Sequence, residues 1–317
     1  MDSEIRKTFS ATIQIMMSQK LNRERIDVQI ETVAISDPGK AREMNEDFFG
    51  YLSGEFGYLF IVCDGMGGSA GGELASKTAV DTIIEHFSDV PEFYTPYKEL
   101  QAAFARANTK IRRIAQEMPA YEGMGSTAVS ALVMDDQLYL AHLGDSRAYL
   151  YRNRRLYPVT KDHSLVQTMI DKKKLKASKA ANHEQKHIIT KALGPRESVT
   201  AEVSAPVKLY NGDILLLCTD GLTNEVTEKQ MRSVLKKMSP EQAAQALIDA
   251  ANTNGGKDNI TIQIVSISGV SNLPLGYIDR NPVQKPHKYE NLMIWGLYAL
   301  ILLLVVVLGY ISFRFFF

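Results

Sequence analysis

Residues 60–72 read FIVCDGMGGSAGG. Tyr58, Leu59, Phe60, Ile61, Val62 and Cys63 form an apolar run with the length and the β-branched and aromatic content of a buried strand, and the run stops on a carboxylate, Asp64. Gly65, Gly67, Gly68, Gly71 and Gly72 then remove side chains where the backbone turns tightly and approaches another group, so a carbonyl there can reach what Asp64 reaches. An ion suits such a strand end. One Asp-Gly pair alone fits a glycine-rich turn with a solvated aspartate better than an ion site. Repetition tips the balance: residues 213–221, DILLLCTDG, again give a buried strand that ends in Asp-Gly, at Asp220 and Gly221.

Outward from these two runs the chain alternates between strand and helix patterns. Residues 28–36 alternate as a strand, Asp37-Pro38-Gly39 is a turn, and Arg42, Glu43, Asn45, Glu46 and Asp47 precede a short strand at 48–51. Helical spacing covers 73–87 and 97–117, ended by Pro119. Residues 126–134, 137–143, 146–152 and 156–159 read as strands of an antiparallel meander, with Gly144-Asp145 in a connecting loop. Residues 162–182 return to helix and loop, and Lys172, Lys173, Lys174, Lys176 and Lys179 there fit a solvated surface better than a docking flap. Helices at 228–237 and 241–252 and a last alternating strand at 260–267, opened by Gly255-Gly256-Lys257-Asp258-Asn259, complete the body.

Asp47, Asp64, Asp145, Asp220 and Asp258 therefore all sit beside turns at the borders of apolar segments. Two carboxylates about 4 Å apart repel by about 4 kcal/mol at an effective dielectric near 20, so several together demand raised pKa values or bound cations. The candidate ligands are oxygens, with no His or Cys set at metal spacing, which selects Mg²⁺ or Mn²⁺ over structural zinc. Two such ions share a water, lower its pKa and polarise a phosphoryl oxygen, the chemistry of a hydrolase without a side-chain nucleophile. Arg42 supplies a forked donor for the remaining oxygens of a phosphate.

Seven strings, RxxNED at 42–47, DGMGG at 64–68, GSTA at 125–128, GDSRAYL at 144–150, DHS at 162–164, TDGL at 219–222 and GGKDNIT at 255–261, resemble in order and spacing the protein phosphatase 2C family of metal-dependent serine/threonine phosphatases, bacterial members above all. The resemblance implies an α+β fold, a central sandwich of two antiparallel β-sheets flanked by helix pairs, with two Mn²⁺ or Mg²⁺ ions at one end and a weaker third. By the same resemblance Asp64 bridges the ions, the Gly65 carbonyl binds the second, and Asp220 and Asp258 hold the first. Glu46 and Asp47 act on the bound waters or as near ligands, Asp145 with Asp220 forms the third site, and Arg42 binds the substrate phosphate. Catalysis would then rest on Asp64, Arg42 and Glu46, and the partners would be phosphorylated proteins, including a serine/threonine kinase or its substrates. Residues 171–182 fall at the family's flap. Met66 stands where animal members carry a histidine thought to protonate the leaving oxygen; a thioether has no proton to give, so that proton is expected from a water at the Asp145 site. A docking module that had shed catalysis would lack one of the acids, and each is present.

The ends carry a separate message. Residues 292–311, LMIWGLYALILLLVVVLGYI, are free of charge and long enough to cross a hydrocarbon core of about 30 Å, with Trp295, Tyr298 and Tyr310 as interfacial anchors. Arg280, Lys285 and Lys288 precede the run and Arg314 follows it, which leaves the large domain on the cytoplasmic side of the membrane. The expected organisation is an amphipathic helical extension at 1–27, a catalytic domain at 28–268, a linker at 269–291, a transmembrane helix at 292–311 and a tail at 312–317. No secretory signal is expected at the N-terminus. With 36 basic and 36 acidic residues no long-range field draws the chain to nucleic acid, and nothing in it indicates an oligomer. Cys63 and Cys218 suit core thiols of a reducing compartment, although strand alternation would put Cys218 on the face of Asp220.

Overall fold

The computed structural model describes residues 28–67, 71–89, 95–176, 179–180, 183–277 and 281–282. Two antiparallel sheets face each other. The first runs β1 (Gln29–Asp37), β12 (Ile260–Ser268), β11 (Ile214–Cys218), β7 (Arg147–Arg152), β8 (Arg155–Pro158). The second runs β10 (Val207–Lys208), β6 (Gln137–Leu143), β5 (Ala128–Met134), β3 (Gly57–Met66), β2 (Asp47–Gly54), with β4 (Gly125–Ser126) on β3 and β9 (Glu202–Val203) on β6.

Strand alternation builds three apolar layers. Phe60 and Val62 of β3 point between the sheets, where they meet Leu150, Leu215, Leu217 and Val265. Leu59, Ile61 and Cys63 of the same strand point outward under α1 (Gly71–Asp89) and α2 (Pro96–Glu117), against Ile83, Phe87, Phe104 and Ile111. Beyond the other sheet, Leu216, Cys218, Ile262 and Ile264 pack under α5 (Glu228–Leu235) and α6 (Pro240–Asn254). Each such large aliphatic side chain contributes about 1.5–3 kcal/mol by leaving water. Two shorter helices, α3 (Leu165–Asp171) and α4 (Asp220–Thr223), lie in connections. Capping boxes at Thr227 with Gln230 and at Ser239 with Gln242 start α5 and α6.

Three local expectations are corrected. The expected meander is two hairpins in different sheets: β5 pairs with β6 and β7 with β8, and the chain changes sheet across Gly144–Ser146. Period-two patterning reports which face is buried but not which sheet receives the strand. β3 does not stop on Asp64 but continues to Met66, because β4 offers Gly65 and Met66 new partners in Ser126 and Gly125. Asp220 opens α4 rather than extending β11, so it shares no strand face with Cys218.

At the end of the sandwich that holds Gln29 and Ser268, Arg152 and Asp213 form a buried two-point ion pair at 2.8 and 2.5 Å. Arg152 also donates to the Tyr277 hydroxyl at 3.2 Å and lies over the Tyr210 ring. Val270 joins the inter-sheet core, so the stretch from 269 to 277, expected as linker, packs against the body. The amphipathic extension at 1–27, the apolar run at 292–311 and the tail at 312–317 lie outside the described residues; among the described ones no helix is long and apolar enough to cross a membrane.

Candidate metal centre

The acids collect at the opposite end, where Asp37 pairs with Ile260. Asp47 opens β2 and stands directly across the strand pair from Asp64 of β3. Gly65 follows, and its missing side chain is required: a Cβ there would lie 2.0 Å from the Gly72 carbonyl oxygen and 2.6 Å from that of Glu46. The start of α1 and the Glu46 backbone can therefore close on the Asp64-Gly65 peptide, with the Gly65 N–H donating to the Glu46 carbonyl at 3.1 Å. Asp220 follows β11, Asp258 precedes β12, and Asp145 sits in the connection from β6 to β7.

Short polar side chains beside each acid fix its arm. The Thr219 hydroxyl donates to Asp47 Oδ2 at 2.8 Å and accepts from the Thr261 N–H at 3.0 Å. Thr127 Oγ1 accepts from the Asp64 N–H at 2.9 Å and bonds Ser146 Oγ at 2.7 Å, which ties the central aspartate to the residue after Asp145. Asn259 accepts from the Glu46 N–H at 2.8 Å and donates to the carbonyls of Pro38 and Met44, so it stitches the 38–46 loop to the start of β12. Sequence reasoning named the acids and missed this hydroxyl and amide layer, although a Thr, Ser or Asn adjoins several of the acids in sequence.

Burial, then the negative charges of Asp220 and Asp258, push the Asp47 carboxyl up to about 7. Burial and the charges of Asp220 and Asp162 raise Asp145 to about 7 as well. Asp64 is held well above the usual carboxylate range by burial and by Asp47, Asp220, Asp145 and Asp258. Asp220 and Glu46 are raised in the same direction, burial being the largest cause for each. Glu46 Oε1, Asp47 Oδ1 and Asp145 Oδ1 are buried without a hydrogen-bond partner. Orphaned anionic oxygens of this kind are costly unless a cation sits among them, and an all-oxygen set fits Mg²⁺ or Mn²⁺. Arg42 approaches the rim, with Nε and Nη2 on the two oxygens of Asp258 at 3.0 Å each.

The seven site residues inferred from sequence, Arg42, Glu46, Asp47, Asp64, Asp145, Asp220 and Asp258, and Gly65 with them, thus fall at one end of the sandwich. Met66 is paired opposite Gly125. The lysines of the 171–182 segment are exposed. A second polar cluster was not legible from spacing: His142, His163 and Glu202, distant in sequence, place one nitrogen or oxygen each within 4.8 Å of one another. Cys63 and Cys218 are buried, and burial pushes the Cys218 thiol up to about 12, as inert core thiols require.

Residues 46–168 match the family Protein phosphatase 2C. The protein phosphatase PhpP of Streptococcus pneumoniae is 34% identical over 249 residues, which span 75% of this chain and 98% of PhpP. The S. agalactiae serine/threonine phosphatase superposes with a TM-score of 0.70 at 32% identity, covering 76% of this chain and 100% of the other. The catalytic domain of the serine/threonine phosphatase PstP, crystallised with two manganese ions, gives 0.68 at 32% identity, with 76% and 99% covered. The chain belongs to the protein phosphatase 2C family and is a serine/threonine protein phosphatase of the bacterial type.

Proposed function

We propose that this phosphatase depends on Mn²⁺ or Mg²⁺ held by Asp47, Asp64, the Gly65 carbonyl, Asp220 and Asp258, with Asp145 and Asp220 serving a further ion. The observation that carries the reading is the trio of buried, partnerless oxygens on Glu46, Asp47 and Asp145. A bound pair of such ions supplies charge neutralisation for a phosphoryl group and a water of lowered pKa. The chain's own residues supply the rest. Arg42, anchored on Asp258 through one edge of its guanidinium, keeps its other edge free to grip phosphate oxygens from a half-exposed position. Glu46, whose carboxyl burial raises above the usual carboxylate range, is placed to serve as a proton acceptor beside the acids.

The substrates are phosphoserine and phosphothreonine proteins, and a serine/threonine kinase or its targets is the natural class of partner. The charge-free run at 292–311 and the basic residues before it support anchorage of the domain at the cytoplasmic face of a membrane. Phosphate release from a phosphothreonine peptide by the full chain tests the reading. Activity should require Mn²⁺ or Mg²⁺, vanish with chelator and vanish in Asp64→Asn; turnover undiminished by chelator after exhaustive dialysis would overturn it.

A further inference from the structure

We propose that His163 is a positioning residue that sets the arm carrying Asp145, with Glu202 fixing which nitrogen of its ring carries the proton. The inference rests on the cation-site reading of Asp145 given above. His163 and Gly144 bond each other twice: the His163 N–H donates to the Gly144 carbonyl at 2.8 Å, and the Gly144 N–H donates to His163 Nδ1 at 3.2 Å. The second bond requires a lone pair on Nδ1, so the imidazole proton sits on Nε2, where Glu202 Oε2 accepts it at 3.3 Å. The Glu202 carboxyl is held below its usual range, first of all by this bond. Glu202 itself is placed by β9, which pairs it with His142 of β6.

The three side chains do not make a second metal site. The rings of His142 and His163 stack nearly parallel, 8° apart with centroids at 4.7 Å, so an ion in the plane of one ring lies out of the plane of the other. The lone pair of His163 is taken by Gly144, and His142 Nε2 donates to the Lys161 carbonyl at 2.8 Å. What the cluster does is immobilise His163, which Thr190 also holds through its N–H to the His163 carbonyl at 2.7 Å.

Gly144 is a lever that passes this on. Its φ is +103°, and a Cβ would lie 2.6 Å from Cβ and Cγ2 of Thr127, so the turn has one compact form that only glycine adopts. Asp145 is therefore gripped on both sides, by His163 through Gly144 and by Thr127 through Ser146, and Thr127 is the residue that also holds the Asp64 N–H. The clamp tells the orphaned Asp145 Oδ1 where to point.

The test separates the two nitrogens of His163. Asn places an oxygen where Nδ1 was and can still accept from Gly144; Gln places its amide nearer Nε2 and leaves the Gly144 N–H without an acceptor. Amide hydrogen exchange at Gly144 should stay slow in wild type and His163→Asn and accelerate about tenfold in His163→Gln. Mn²⁺ calorimetry on the full chain should show the weakest-binding ion weakened about tenfold in His163→Gln and little changed in His163→Asn, with tighter ions unaffected in both. Asp145→Asn provides the separate control. If it binds Mn²⁺ as wild type does, the cation reading of Asp145 fails and takes this inference with it. If it loses the weakest ion while His163→Gln does not, or if both His163 variants lose it equally, the cation reading stands and the positioning role falls.

Discussion

Replacing Asp47 by Asn should stabilise the metal-free protein while removing its response to Mn²⁺. Asp47 is 5% exposed, faces Asp64 across the strand pair and has one oxygen without a partner. Burial raises its carboxyl to about 7. A group raised in the folded state binds its proton more tightly there than in the unfolded chain, so its contribution is favourable in acid and is lost as pH rises through about 4 to 7. Above that window, holding the ionised form inside costs on the order of 4 kcal/mol in the metal-free protein, at about 1.4 kcal/mol per pH unit. Asn abolishes this cost and keeps an oxygen for the Thr219 hydroxyl, but buries an amide N–H₂, which offsets about 1–3 kcal/mol. A net gain of about 2 kcal/mol corresponds to about 4–8 °C in Tm for a domain of this size. Scanning calorimetry in chelator at about pH 8 should show that rise, and at about pH 5 the variant should be no more stable than wild type. With Mn²⁺ at about a hundred times its Kd, wild type should gain about 2.7 kcal/mol and the variant far less. A variant less stable than wild type at the higher pH in chelator, or an equal Mn²⁺ response in both, would refute the account.

Asp145→Ala should lower kcat on phosphopeptides about tenfold more than on an aryl phosphate, whose good leaving group needs no protonation; parallel losses on both substrates would exclude a role for the Asp145 arm in leaving-group departure. Arg42→Lys should raise KM for phosphopeptide by about tenfold, because a point charge replaces a fork that engages Asp258 and phosphate at once, and steady-state kinetics reads this directly. Gly144→Ala should destabilise by about 2–4 kcal/mol, since the new Cβ meets Thr127 at 2.6 Å in a backbone conformation that L-residues avoid; a urea titration measures it. Arg152→Ala should cost about 3–5 kcal/mol by stranding Asp213, yet leave Mn²⁺ affinity unaltered in calorimetry, because that pair lies at the end of the sandwich away from the acids.

The sequence alone pointed to the acids and to their all-oxygen chemistry. Asp64 and Asp220 announce themselves because an apolar run that meets an acid and a glycine is a local pattern, and the acids' shared oxygen chemistry follows from residue type. Strand and helix positions were legible for the same reason: burial on one face writes a period of two or 3.6 into neighbouring residues. What tertiary structure alone decided is which distant segments touch. The change of sheet at Gly144–Ser146, the bond from Thr127 to both Asp64 and Asp145's neighbour, and the meeting of His142, His163 and Glu202 all join residues whose separation leaves no periodic trace. A hydrogen bond is satisfied by any correctly placed partner, so its identity is set by the packing of the two sheets and not by the spacing of letters along the chain.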